Sequence, residues 1–403
     1  MKTITDQNKI QELLTKGVEK IYPDKESLEK VLLSGKKIKL YCGYDPTASS
    51  LHLGNAISLR KLAQFQSLGH EVIMLIGDFT AMIGDPTDKS AARQKLTRAE
   101  VNDNLKDYQA QASKILKFDG PNPAKIIFNN EWHNKMTFAD LIEIASNFTV
   151  GQMIIRDMFQ KRIADDKPIY LHEFLYPLAQ AYDSVAMDVD LELGGNDQTF
   201  NMMCGRDLMK TLKNKEKFVL TMKLLTDAGG KKMGKTEGNM LNLNESPDQM
   251  FGKVMSWSDG MIVPGFELCT NLSLAEIQKV KQDLESDKVN PRDLKARLAF
   301  EIVKELQGEE AAQKAQEQFD KVFSKKQAPD EIKTIKLNQA QMPLVEILIA
   351  TKLAKSKSDA QRLIEQKSVR VGGVVIDNWQ KMIDIKGEIL IQKGKRFFVK
   401  IKI

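Results

Sequence analysis

The sequence predicts an α/β protein built on a parallel sheet, followed by an α-helical stretch and a small C-terminal α+β module. Three observations carry this. Residues 37–77 contain a strand, a turn, an amphipathic helix and a second strand, a unit of the length that parallel sheets use. Residues 274–323 are charged and almost continuously helical in their apolar spacing. The last 62 residues then change character: they hold 13 Lys or Arg against 6 Asp or Glu, a charge of +7, while the first 341 residues sum to −1. A near-neutral body with a basic tail module is a pattern expected of a nucleic-acid binder.

In chain order, residues 6–34 show helical spacing at Ile10, Leu13, Leu14, Val18 and Ile21, repeated over 27–33. Residues 37–45 form a strand in which Ile38 and Leu40 alternate with lysines. Residues 57–68 form a helix that Gly69 stops, and 71–77 form a buried strand. Residues 96–116 and 138–148 read as helical, and 124–128 and 189–193 as strands. After 274–323 comes a polar linker, then helices at 344–350 and 358–366 and strands at 369–376 and 389–401. The expected division is a sheet domain over 1–230, a glycine-flanked lysine loop and helical domain over 231–325, a linker over 326–342, and the basic module over 343–403. An insertion at about 130–175 is expected to pack against a second copy of the chain.

Several classes are disfavoured. Cys42, Cys204 and Cys269 are odd in number and lack metal-ligand spacing. The N-terminus has no apolar signal core, and the longest apolar stretches, such as 72–77, fall far short of the roughly 20 residues of a membrane span. A soluble, cytoplasmic setting is expected, with no metal site.

Two fragments suit a nucleotide. His52-Leu53-Gly54-Asn55 stands where a turn gives way to a helix, so unpaired N–H groups and a positive dipole end face outward there. Gly54, without a Cβ, lets a flat base approach the backbone. Far downstream, Lys232-Met233-Gly234-Lys235-Thr236 is a glycine-flanked basic segment without Walker spacing. Alone, the first is also an ordinary helix start and the second an ordinary solvated loop.

A third group of residues suits a small polar ligand. Tyr176, Gln180 and Asp183 are spaced i, i+4 and i+7, within roughly 60° on one helix face. Apolar neighbours flank that face, and buried polar groups need partners. Three glycine-bearing strand ends add polar groups: Tyr41 to Thr47, Thr80 to Asp85, and Gly194 to Gln198. In open α/β sheets ligands bind at such ends.

Taken together, the His-x-Gly-Asn and Lys-Met-Gly-Lys-Thr fragments resemble the paired signature of class I aminoacyl-tRNA synthetases, and the resemblance extends over the whole chain. The strand ends and the Tyr176–Asp183 helix are similar to those of the tyrosyl members. The resemblance implies a Rossmann-like domain that activates tyrosine with ATP and passes it to tRNA. Tyr41 and Asp183 would meet the substrate phenol. Asp85, Tyr176 and Gln180 would hold the α-amino group, with Thr80 orienting Asp85, and Gln198 would lie near the carboxylate. Gly43, Asp45, Thr47, Gly54, Gly195, Asp197 and Lys235 would line ATP. His52, Asn55, Lys89, Arg93, Lys232, Lys235 and Thr236 would surround the leaving pyrophosphate. Asn55 stands where the commonest family form has a second His, which implies a modest change in rate. Magnesium is expected with ATP, without a dedicated set of protein ligands. A homodimer is implied as well.

Residues 343–403 resemble a small RNA-binding domain first recognised in a ribosomal protein, which implies that Lys355, Lys357, Arg362, Lys367 and Arg370 meet tRNA phosphates. Three rivals remain: a tryptophan-specific enzyme, a small-molecule nucleotidyltransferase, and a catalytically silent RNA binder on the same scaffold. If the lysine segment serves the phosphates, Lys235→Ala lowers adenylate formation by a few orders of magnitude and leaves tyrosine affinity nearly unchanged. Pyrophosphate exchange at normal rates in that variant removes the segment from the reaction.

Overall fold

The structure is a computed structural model and describes all residues except 1, 88–95, 228–232, 234–239, 287–288, 324–331, 333 and 395–396. The chain divides into two compact units, Met1–Glu309 and Glu310–Ile403.

The first unit is centred on six strands: β1 (Val18–Tyr22), β2 (Lys39–Tyr44), β3 (Glu71–Ile76), β4 (Lys125–Phe128), β5 (Leu191–Gly195) and β6 (Phe218–Met222). Their order is β1-β6-β5-β2-β3-β4, parallel throughout except that β1 runs antiparallel to β6. From β2 the chain moves outward to β3 and β4, then returns on the other side through β5 and β6. The strand order therefore reverses between β2 and β5, and a crevice opens beyond their carboxyl ends. β2, β3 and β5 are buried nearly throughout, as a sheet covered on both faces requires.

Periodicity alone misplaces β1. Val18 and Ile21 fit the helical spacing of 6–34, but the first helix ends at Leu13 and Gly17 takes φ +66. That left-handed conformation breaks the helix and releases 18–22 to pair with β6. β6 itself was not expected.

The helical stretch does not stand apart. Helices Pro247–Met255, Ile262–Cys269, Leu274–Glu285 and Pro291–Gln307 belong to the same unit as the sheet. Buried cations tie them to it. Arg60 meets the Glu305 carboxylate at 2.6 Å, and Lys16 donates to the carbonyls of Thr270 (2.8 Å) and Leu272 (2.6 Å). The expected helix over 274–323 is broken before Pro291 and at Gly308, and the next helix begins at Glu309.

In the second unit, β7 (Thr334–Lys336) and β8 (Gln341–Pro343) arise from the stretch expected as linker. They pair with β13 (Phe397–Lys402) and β11 (Met382–Asp384) respectively. Between them come helices Leu344–Ala350 and Lys357–Glu365, the hairpin β9 (Val369–Val371) and β10 (Val374–Ile376), and β12 (Ile389–Lys393). Leu344, Ile347, Leu348, Ala360, Ile364, Val369, Ile391 and Ile401 form its core.

His70 precedes β3 and helps set its register with β2. Its Nδ1 accepts from the Ile38 N–H, while its buried Nε2 has no hydrogen-bond partner among the described residues. Burial, helped by Lys37, lowers its pKa from 6.5 to about 4. The unfolded chain therefore binds more protons between these values, and stability falls as pH drops from 6.5 toward 4. His70→Gln is expected to flatten the decline of the thermal unfolding midpoint over that window. Parallel curves for the two proteins count against this role.

Candidate active site

The crevice at the strand-order reversal is a cavity of about 1010 Å³. That is the upper end of the range for small-molecule sites, roughly 300–1,000 Å³, and it suits two substrates better than one. Fifteen residues singled out from the sequence line it: Tyr41, Gly43, Asp45, Thr47, His52, Gly54, Asn55, Thr80, Asp85, Tyr176, Gln180, Asp183, Gly195, Asp197 and Gln198. Lys89, Arg93, Lys232, Lys235 and Thr236 lie outside the described residues. Met233 and Met240, which bracket 234–239, both line the cavity.

At the nucleotide-type corner, His52 caps the helix Leu53–Ser67. Its Nδ1 accepts from the Asn55 N–H at 3.2 Å, and Asn55 Oδ1 accepts from the His52 N–H at 3.0 Å. This reciprocal box holds both side chains at the helix start. With Nδ1 accepting, the neutral ring carries its proton on Nε2. The corner is also stitched to the chain beyond the lysine segment: Leu53 N–H donates to the Leu241 carbonyl (2.8 Å) and Leu243 N–H to the Leu51 carbonyl (2.9 Å).

The deep end is polar yet almost fully buried, Tyr41 being 1% and Asp183 2% exposed. Tyr41 lies on β2 opposite Glu192 of β5, and Asp183 comes from the helix Leu171–Met187. Burial, reinforced by Glu192 and Asp183, lifts the Tyr41 phenol pKa well above its ordinary value, so the group is a neutral hydroxyl. Asp183 accepts from Trp132 Nε1 (2.9 Å), His133 Nε2 (2.8 Å) and Asn129 Nδ2 (3.3 Å). Burial raises its pKa, and these three partners oppose the rise. Asn129, Trp132 and His133 were not singled out from the sequence. The available signal was their position just past the strand 125–128, the same kind of strand end that marks the other site segments.

Between these regions the structure makes one correction. Thr80 does not orient Asp85. Its hydroxyl donates to Asp45 Oδ1 at 2.7 Å, and Tyr176 donates to Asp45 Oδ2 at 2.9 Å. The β2–β3 register sets Tyr44 opposite Ile76, so Asp45 lies beside Gly77 and the short helix that Thr80 begins. Asp85, beyond the far end of that helix, is held instead by the Thr87 hydroxyl (2.6 Å) and Gln198 Nε2 (2.8 Å). Asp45 thus shares partners with the amino-acid group of residues as well as lying near the nucleotide-type corner. Gln180 is tethered too, its Nε2 donating to Glu192 Oε1 at 3.0 Å.

The cavity offers a positively biased helix start, carboxylates at Asp45 and Asp85 suited to an ammonium, and a buried hydroxyl–carboxylate pair suited to a phenol. Among the described residues no group of three or more His, Cys, Asp or Glu could hold a metal ion. In the second unit, Lys355, Lys357, Arg362, Lys367 and Arg370 are all exposed along the helix Lys357–Glu365 and the chain on either side of it. Arg362 pairs with Asp359 at 2.7 Å.

Comparison with known proteins gives the family. The family described as class I tRNA synthetases (W and Y) matches residues 33–324, and the tyrosine–tRNA ligase SYY-like C-terminal domain matches 324–401. The chain is 42% identical to the tyrosine–tRNA ligase of Thermotoga maritima over 390 residues, 96% of each chain. It is 42% identical to that of Haemophilus influenzae over 401 residues, 99% of this chain and 98% of the other. Among solved structures it resembles a tyrosyl-tRNA synthetase from Archaeoglobus fulgidus complexed with L-tyrosine. The TM-score is 0.62 at 21% identity, covering 77% of this chain and all of the other. A truncated mitochondrial enzyme from Aspergillus nidulans gives 0.65 at 21% identity, over 78% and 94% of the two chains. At that identity the structural likeness concerns the fold. The matches span both units at high coverage, and the chain belongs to the tyrosine–tRNA ligases of the class I aminoacyl-tRNA synthetase family.

Proposed function

We propose that the protein activates L-tyrosine with ATP to tyrosyl-adenylate and transfers the tyrosine to the 3′ end of its tRNA. The observation that carries this reading is the single cavity: a buried hydroxyl and carboxylate at one end, a capped helix start at the other, and Asp45 and Asp85 between them. Tyrosine lies with its phenol between Tyr41 and Asp183. Its ammonium sits among Asp85, Tyr176, Gln180 and Asp45, and its carboxylate near Gln198. ATP lies along Gly43, Thr47, Gly54, Gly195 and Asp197.

The tyrosine carboxylate attacks the α-phosphorus in line, and pyrophosphate leaves. No covalent enzyme intermediate is needed. The protein contributes positioning and neutralises developing charge. His52 and Asn55 present N–H donors at the helix start. Lys89, Arg93, Lys232, Lys235 and Thr236 supply the remaining positive and polar groups around pyrophosphate. Magnesium enters as part of the Mg–ATP substrate. A tryptophan-specific reading is less favoured, because the C-terminal match is to a tyrosine–tRNA ligase domain.

Lys355, Lys357, Arg362, Lys367 and Arg370 meet the tRNA backbone, with affinity that falls as salt rises. Among the described residues, seven of the fifteen exposed large apolar side chains fall within 138–171, among them Phe138, Val150 and Leu171. An apolar surface of this kind marks an interface, and it supports a homodimer through the insertion. The cytoplasm is the proposed setting, and no described helix is long and apolar enough to cross a membrane.

Tyrosine-dependent ATP–pyrophosphate exchange by the purified protein tests the activity directly, and its absence refutes it. Tyr41→Phe is expected to lower the preference for tyrosine over phenylalanine while preserving the maximum rate. Unchanged discrimination puts Tyr41 outside the phenol contact. Removing 324–403 is expected to spare activation and to reduce tRNA charging severely. Normal aminoacylation by the shortened chain rules out the RNA-binding role.

A further inference from the structure

Behind the deep end of the cavity lies a second layer of polar groups that do not line it. Ser184 follows Asp183 on its helix and is fully buried, as is Lys217 at the entry to β6. Lys217 forms an ion pair with Glu192 and donates to Ser184 Oγ at 2.8 Å. Ser184 Oγ lies 2.9 Å from Tyr41 Oη and 3.2 Å from Glu192 Oε2. Gly205, from the helix Thr199–Lys213, makes room for all three: a Cβ there would stand 2.6 Å from Lys217 Nζ, 3.0 Å from Ser184 Oγ and 3.2 Å from Glu192 Oε2.

Proton counting gives this cluster a direction. An ammonium only donates, so Lys217 occupies one lone pair of Ser184. The single Ser184 proton then goes either to Glu192 or to Tyr41. Glu192 is already served by Lys217 on Oε2 and by Gln180 on Oε1, and it is the more distant acceptor. Without a ligand either direction is open, but a substrate hydroxyl that donates to the acceptor-only Asp183 must accept from Tyr41, and Tyr41 Oη then takes the Ser184 proton. On the opposite side, Asp183 only accepts, and three of its lone pairs are taken by Asn129, Trp132 and His133. A hydroxyl placed between the two can then accept from Tyr41 and donate to Asp183, with both its roles assigned.

We propose that Lys217 and Ser184 are positioning residues for substrate selection. They form a one-way hydrogen-bond chain from a buried ammonium through Ser184, Tyr41 and the substrate hydroxyl to the Asp183 carboxylate. A ligand without that hydroxyl breaks the chain in its middle and leaves a buried donor and a buried acceptor unmet. The proposal rests on the reading that Tyr41 and Asp183 meet the substrate phenol.

The test is ATP–pyrophosphate exchange by the full-length protein with tyrosine and with phenylalanine. Ser184→Ala keeps the Lys217–Glu192 ion pair, so no buried charge is stranded. It is expected to raise KM for tyrosine and to lower the tyrosine-over-phenylalanine preference in kcat/KM, each by about tenfold, with KM for ATP unchanged. In a Tyr41→Phe background the same substitution is expected to change the preference no further. The paired change Lys217→Met with Glu192→Gln removes both charges together and is expected to act in the same direction. If Tyr41→Phe lowers the preference but Ser184→Ala does not, the chain is refuted and the phenol contact stands. Unchanged preference in Tyr41→Phe itself refutes the phenol contact, and this proposal with it. An equal fall in kcat/KM for both amino acids in Ser184→Ala reveals a structural role alone and also overturns the proposal.

Discussion

The pairing of β2 with β5 governs both the cavity and its chemistry. These strands run parallel at the point where the strand order reverses, so the connections leaving their ends diverge and a crevice opens between them. The same register sets Tyr41 opposite Glu192, which brings a hydroxyl that faces the cavity beside a carboxylate that does not. A slip of one residue would turn every side chain of β2 to the other face, exchanging Tyr41 for Leu40 or Cys42. The site could not survive that change, and neither could the packing, because both faces of the strand are buried.

Burying so many polar groups is tolerable only because they satisfy one another. Asp45 accepts hydrogen bonds from Thr80 and Tyr176, Asp85 from Thr87 and Gln198, and Asp183 from three donors of the segment after β4. An unpaired buried polar group costs roughly 1–3 kcal/mol, more if charged. This pairing fixes the orientation of each carboxylate before any ligand arrives, and preorganised dipoles are what positioning catalysis requires. It also explains the division of labour within the site. Groups held by protein partners shape the deep end, while the nucleotide-type corner is a helix start at which His52 and Asn55 cap each other.

Much of the site was legible in the chain because its residues sit at punctuation marks. A glycine after a strand, a His or Asn at a helix start, and an i, i+4, i+7 set of polar groups among apolar neighbours can all be read locally. Tyr41, His52, Asn55, Asp85, Tyr176, Gln180 and Asp183 were visible in this way, and all line one cavity. What escaped depended on long-range pairing. β1 looked helical because its apolar positions fit a 3.6-residue period, and only its antiparallel partner β6, some two hundred residues away, makes it a strand. β7 and β8 looked like linker because three-residue strands have too few positions to show alternation.

The amino-acid sequence determined the element types around the cavity, the residues at its strand ends and the basic character of the C-terminal module, since each follows from local pattern and composition. Tertiary structure alone decided which carboxylate each donor serves. Thr80 went to Asp45 and not to Asp85 because the β2–β3 register put Asp45 nearer. Ser184, Glu192 and Lys217 became one cluster because a helix and two neighbouring strands converge on the space that Gly205 leaves open. Hydrogen bonds act over about 3 Å, and distances that small are set by packing between segments far apart in the chain.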